Sequence, residues 1–431
     1  CGLRTGAAPV TAQMRRGAGR LVALAGALVL VAALAAGCQE ELTSPGQCPQ
    51  LCPGGDVRTL DIVLTPTVGR DSTYTGYVNR GDGVALLVSN GFAVSENRAA
   101  YRISPRPDSI EVRDTNRTYT VDSVALTLTV LARDTLVNGL KLVLYRISDT
   151  LNATATFPSL DAQLIPENVI DTLVVPDTMN TGTVRAVLSG ADLAKVDLPL
   201  AGNGILALGV SMVADQPTGV RIGSARAGAG ATFTSYVTVD VDDTTTSVRK
   251  QALALTPTFN TFVTQTPLLP DPRFLTVGGD SSSRALLRFA LPAEVAESAN
   301  IVRATLDLVP RTATPGLPGD IAILEGRAVL ADLGAKSPVS SDVRFIVDDT
   351  LEVGSSGAVS LDMTRIVQLW QASTTAPDAI FLSLLPEAST FTRGEFGSTR
   401  SDPTLTPSTT EPVAAPRLRI TYQRPFPFEK P

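Results

Sequence analysis

The sequence predicts an all-β protein of two antiparallel β-sandwiches in tandem, behind an export signal and a short linker. Three observations carry that expectation. From Thr59 onward, short runs of Val, Thr, Ile and Leu alternate with polar residues and break at Asp, Gly, Asn and Pro. That is the pattern of strands with one face buried. Helical periodicity is confined to residues 189–195 and 363–371. The third observation is an internal repeat, in which landmarks of the first half return in the same order in the second.

Residues 1–13 precede Met14 and read as an upstream extension outside the translated protein. In residues 14–37, Arg15, Arg16 and Arg20 lead into an uncharged apolar stretch from Leu21 to Ala36. It ends in Leu34-Ala35-Ala36-Gly37-Cys38. A basic start, an apolar middle and small residues at the cut mark a secretory signal peptide. A cysteine directly after the small residues resembles the lipobox of bacterial lipoproteins, with Ala35 where leucine is commoner. The resemblance implies lipidation of Cys38 as the first mature residue. Two or three acyl chains give a stable anchor, because each buried methylene contributes about 0.8 kcal/mol and one chain alone is marginal. The competing expectation is an uncleaved signal anchor, since the stretch is nearly long enough to span a bilayer. The expected location is the bacterial cell envelope, lipid-anchored in the outer membrane.

Residues 38–57 are rich in Gly, Pro, Gln and Ser and form the lipidated tether. Within it, Cys48 and Cys52 are expected to form a local disulfide, because an exported compartment is oxidising. A metal site would need two further soft ligands, and the chain has no histidine and no other cysteine free to supply them.

The first sandwich is expected over residues 58–245, the second over 246–424, with a tail at 425–431. Arg98-Ala99-Ala100-Tyr101-Arg102-Ile103 is echoed by Arg284-Ala285-Leu286-Leu287-Arg288-Phe289, and Val124–Leu128 by Ala304–Leu308. Val187–Leu193 parallels Ser360–Ile366, Ile205–Leu208 parallels Phe381–Leu384, and Ile222–Ser224 parallels Phe396–Ser398. Each half closes on a strand, Ser235–Val241 and Arg417–Tyr422, and a Thr-rich hinge at residues 243–248 divides them.

In the second half, Ser283 to Phe289 and Ile301 to Leu308 are followed by Leu361 to Trp370, then Glu395 to Ser398 and the closing Pro416 to Tyr422. Over residues 250–424 these motifs resemble the DNRLRE family of exported domains, which are similar to carbohydrate-binding modules. The resemblance implies that the sandwiches are jelly-roll-like, and Ile366, Val367, Leu369 and Trp370 fall within two helical turns, as a short helix capping one end of the second would. The first half lacks the tryptophan and the Arg-Leu-Arg closing strand, and joins the family only through the repeat.

Composition narrows the chemistry. The 431 residues are 44% hydrophobic, enough for two real cores, and carry a net charge of −6 with no basic cluster after the signal, which argues against nucleic acid as a partner. The absence of histidine removes the commonest general base and metal ligand, so no catalytic residue is assigned and the protein is not expected to be an enzyme. No cofactor is expected beyond a candidate structural calcium on Asp240 and Asp242, which alternate on a strand and could converge on one ion. Asp243, Asp348, Asp349 and Glu352 form further acidic clusters, and for all of them ordinary solvated aspartates are the commoner outcome. Tyr74 and Tyr77, in the polar loop Arg70–Gly83, are the candidate exposed ligand-binding pair; the alternative is a mobile hairpin tip. Trp370 follows Ile366 and Val367 at helical spacing and is read as core before sugar platform.

The function these residues suggest is a membrane-anchored, non-catalytic glycan-binding or structural module, with glycan or cell-envelope proteins as partners. The alternatives are a polysaccharide-acting hydrolase and a subunit of a larger surface assembly.

Overall fold

The computed structural model describes residues 59–92, 95–196, 205–228, 230–241, 250–267, 269–407 and 410–424. The signal, Cys38, Cys48, Cys52 and Asp242 lie outside the described residues. Residues from Thr59 onward form one compact unit. It is all-β and antiparallel, and its strands enclose two large apolar cores.

One sandwich, here the inserted sandwich, is a single eleven-stranded sheet that curls around its core. Its spine is the fifteen-residue strand Tyr119–Arg133, which pairs with Gly182–Ser189, Thr232–Val239 and Gly219–Gly223. The facing layer is built on Asn97–Ile103, flanked by Leu206–Val213 and Pro257–Thr264. Alternation explains the closure: Val184, Ala186 and Leu188 point inward while Arg185 and Val187 point out, as a period-two strand requires. The core holds Leu86, Tyr101, Leu126, Leu142, Phe233 and Phe262. The Tyr101 phenol donates to the Gly223 carbonyl at 2.8 Å, and burial pushes its pKa up.

The other, the host sandwich, packs a four-stranded sheet on a five-stranded one. The first has the order Thr59–Leu64, Arg417–Gln423, Asn300–Leu308, Val359–Asp362. The second has the order Ser72–Tyr74, Arg284–Arg288, Ala379–Leu385, Ile321–Ala328, Ile346–Glu352. A helix, Thr364–Ala372, covers one end and buries Ile366, Val367 and Trp370. Trp370 is 3% exposed and packs on Phe289 with ring centroids 6.0 Å apart, so it is core.

Four of the six repeated landmarks lie in strands that pair alike. Asn97–Ile103 pairs with Leu206–Val213 as Arg284–Arg288 pairs with Ala379–Leu385. Likewise Tyr119–Arg133 pairs with Thr232–Val239 as Asn300–Leu308 pairs with Arg417–Gln423.

The boundary at 245/246 is corrected by the leading strands. Lys250–Leu255 and Pro257–Thr264, expected to open the second sandwich, pair with Thr232–Val239 and Asn97–Ile103 of the first. Thr59–Leu64 and Ser72–Tyr74, expected to open the first, pair with Arg417–Gln423 and Arg284–Arg288 of the second. Each repeat therefore gives its first two strands to the other sandwich. The physical reason is locality. Lys250–Leu255 follows Thr232–Val239 closely and pairs with it at low loop-closure cost. The last sandwich is left two strands short, and the start of the described chain completes it, with Leu60, Ile62 and Leu64 packed on the host core. The two modules are thus interleaved rather than strictly in tandem, with residues 85–264 inserted between the two parts of the host.

Candidate functional site

The chain crosses between the sandwiches twice, through residues 75–84 and 265–274, and the first crossing shapes a cleft. Its sequence, Thr75-Gly76-Tyr77-Val78-Asn79-Arg80-Gly81-Asp82-Gly83, favours turns over strand. Gly76 takes φ +83° and donates its N–H to the Ser281 carbonyl at 2.9 Å. Gly81 meets the inserted sandwich so closely that an added Cβ would sit 2.2 Å from the Asn260 carbonyl oxygen, so only glycine fits. The buried Asn260 amide holds the contact on both sides: it donates to the Gly81 carbonyl at 2.9 Å and accepts from the Ala225 N–H at 2.8 Å.

Between this loop, strand Pro257–Thr264 and the turn at Asp280 and Ser281 lies a cleft of about 680 Å³. It lies at the seam of two modules, where ligand sites concentrate. Its walls combine apolar surface from Val78, Phe259, Phe262 and Pro267 with amide, hydroxyl and ionic groups. Asp82 is satisfied by Asn79 at 2.9 Å and Arg226 at 3.2 Å. Arg80 lies 5.8 Å over the Phe262 ring. Among the described residues neither Arg80 nor Asp280 has an ion-pair partner, so a free cation and a free carboxylate line the same cleft. Such groups hydrogen-bond polar ligands, while the apolar wall packs against C–H faces.

Tyr74 and Tyr77 do not form the exposed pair that the sequence suggested. They fold onto the outer face of the five-stranded sheet, with Phe381 6.4 Å from Tyr74 and 5.9 Å from Tyr77. The Arg284 guanidinium stacks 4.3 Å over Tyr77 while gripping Glu387 through two bonds of 2.7 and 2.8 Å. The Tyr77 hydroxyl donates to the Ala335 carbonyl at 2.7 Å, and burial raises its pKa against the lowering effect of Arg284. The reason is the apolar face beneath, Leu286, Val329 and Phe381, which needs covering. Asp332 ties the same region down: the hydrogen-bonded Arg288 guanidinium holds its carboxyl below the usual carboxylate range.

Asp240 is exposed, and its carboxylate accepts from the Thr118 hydroxyl at 3.0 Å. Its expected calcium partner Asp242 is outside the described residues. Asp348 and Glu352 project from one face of an edge strand and Asp349 from the other. Among the described residues no three metal-ligating side chains converge.

The sequence reading passed over Arg80 and Asp280, because Arg-Gly-Asp and Gly-Asp-Ser look like ordinary turn punctuation. Arg80 lies in the crossing that follows the leading strand Ser72–Tyr74, and Asp280 in the turn between Leu275–Gly278 and Arg284–Arg288. No protein-family model matches this chain, nor does any curated protein.

Proposed function

We propose that the protein is a lipid-anchored envelope module that binds glycan without cleaving it, through the cleft between its two sandwiches. The observation that carries this reading is the pairing of apolar wall with two ionic groups, Arg80 and Asp280, that have no ion-pair partner among the described residues, in one open cleft. Sugars offer hydroxyls to such groups and C–H faces to Val78 and Phe259. The resemblance of residues 250–424 to carbohydrate-binding modules points the same way.

Within the host sandwich the cleft and Thr59 lie at opposite ends. Thr59 pairs with Gln423, beside Asn300, at the end of the host where Phe289 meets Trp370. Asp280 lies beyond the opposite end of strand Arg284–Arg288. The nine-residue strand Asn300–Leu308 spans about 30 Å at ~3.4 Å per residue.

Screening residues 59–431 on a glycan array is expected to give binding that Arg80→Ala and Asp280→Ala each weaken about tenfold or more, the loss of a charged hydrogen bond. Both variants should keep the wild-type circular dichroism. Binding that neither variant changes would remove the cleft from the proposal. The hydrolase alternative rests on Asp82 and Asp280, two carboxylates lining the same cleft, and a turnover assay on the same glycans separates it. The anchor is tested by mass spectrometry of the mature amino terminus. An acylated Cys38 is expected, and an intact Met14 or an unmodified terminus would sink the lipoprotein reading.

A further inference from the structure

On the other flank of the same crossing loop lies a second depression, of about 490 Å³ and largely apolar. Val78, Val84, Ile321, Ile323, Leu385 and Pro386 line it, and Ile321 is 70% exposed, Ile323 39%. The repeat makes these residues notable. Ile321–Ala328 and Lys141–Ile147 are the equivalent strands of the two sandwiches, and the pairing carried from the equivalent Ala99 and Ala285 matches Lys141, opposite Val213, to Ile323, opposite Leu385. The host carries isoleucine where its twin carries a charge, so the apolar surface is not imposed by the fold. Core packing does not use it either, since the inward residues of that strand are Ala322 and Leu324.

What adjoins the depression fixes its occupant. Val78 and Asp82 line both the apolar groove and the polar cleft. A molecule lying over Val78 would meet aliphatic surface on one side and Arg80, Asp280 and Asn260 on the other. We propose that the two depressions form one amphipathic site for a glycolipid-like ligand, with its sugar in the cleft and an aliphatic chain in the groove. The proposal rests on the glycan reading of the cleft and adds the chain. A protein partner inserting a single apolar side chain would use the groove without the cleft, and the test separates the two.

The test is calorimetric titration of residues 59–431, which hold both cores, with n-alkyl glucosides of one, four, six and eight carbons below their micelle concentrations. Affinity is expected to rise with chain length by up to about fourfold per methylene, the equivalent of about 0.8 kcal/mol each, until the groove is full. Ile323→Lys, which places the twin's residue on an exposed position, should flatten that rise. Arg80→Ala should weaken every member of the series by a similar factor. Affinity independent of chain length overturns the aliphatic half while leaving the glycan reading standing. A rise that Arg80→Ala does not lower shows an apolar groove working alone and overturns the joint site. If no glucoside binds while the glycan array is positive, the groove proposal fails by itself; if the array is also negative, the glycan reading fails with it.

Discussion

A fragment of residues 83–266 is expected to unfold in a single cooperative transition, whereas residues 275–424 alone are not. The first contains every strand around the inserted core, including Lys250–Leu255 and Pro257–Thr264. The second lacks Thr59–Leu64, which pairs through six residues with Arg417–Gln423 and lays Leu60, Ile62 and Leu64 on the host core. Side chains of that kind contribute roughly 1.5–3 kcal/mol each when fully buried, and these are partly buried, so the loss is of the order of several kcal/mol. Against a domain stability of about 5–15 kcal/mol, that is enough to abolish cooperative folding. A peptide of residues 59–75 added in trans should restore it. A cut near Thr245 should give two pieces that reassociate, because each carries strands that finish the other's sandwich. Urea unfolding and size-exclusion chromatography read both outcomes. Cooperative unfolding of 275–424 at the full-chain midpoint would contradict the closure.

The second large effect is expected at the ion pair that crosses the seam. Arg221, on strand Gly219–Gly223 of the inserted sandwich, meets Asp320 of the host at 2.5 Å, with side chains only 11% and 8% exposed. Among the described residues the Arg221 Nε and one Asp320 oxygen have no hydrogen-bond partner. Removing one partner leaves the other charge alone in a largely enclosed site, at a cost of up to about 3–5 kcal/mol, the range for fully buried pairs. Arg221→Met and Asp320→Leu should each lower the urea midpoint sharply, and the double variant should recover most of the loss, since an apolar pair of similar volume is often neutral. Single variants within about 1 kcal/mol of the wild type would show that the pair is hydrated and the seam loose.

Much of this was legible in the chain. Alternation located the strands, because a half-buried strand must place apolar residues on one side: Ala285, Leu287 and Phe289 go inward as their spacing requires. The repeat located equivalent strands, and the cluster Ile366, Val367, Trp370 located the capping helix and its buried tryptophan. These are properties of single elements, and period and composition encode them.

Partner choice was decided elsewhere. Leu60, Ile62 and Leu64 would suit either core, and nothing in their alternation says that they join the end of the chain rather than the strands that follow them. Only the completed topology sets that, because the inserted sandwich is already closed by Lys250–Leu255. Tyr77 looked exposed for the same reason: its neighbours in sequence are polar, and the residues that claim it, Phe381 at its ring edge and Arg284 over its face, lie hundreds of residues away. The cleft is likewise a product of the crossing. By itself the sequence determined that this is an all-β repeat and where its strands fall. The tertiary structure alone brought Arg80, Asn260 and Asp280 to one cleft, because pairing is a choice among apolar faces that local pattern does not distinguish.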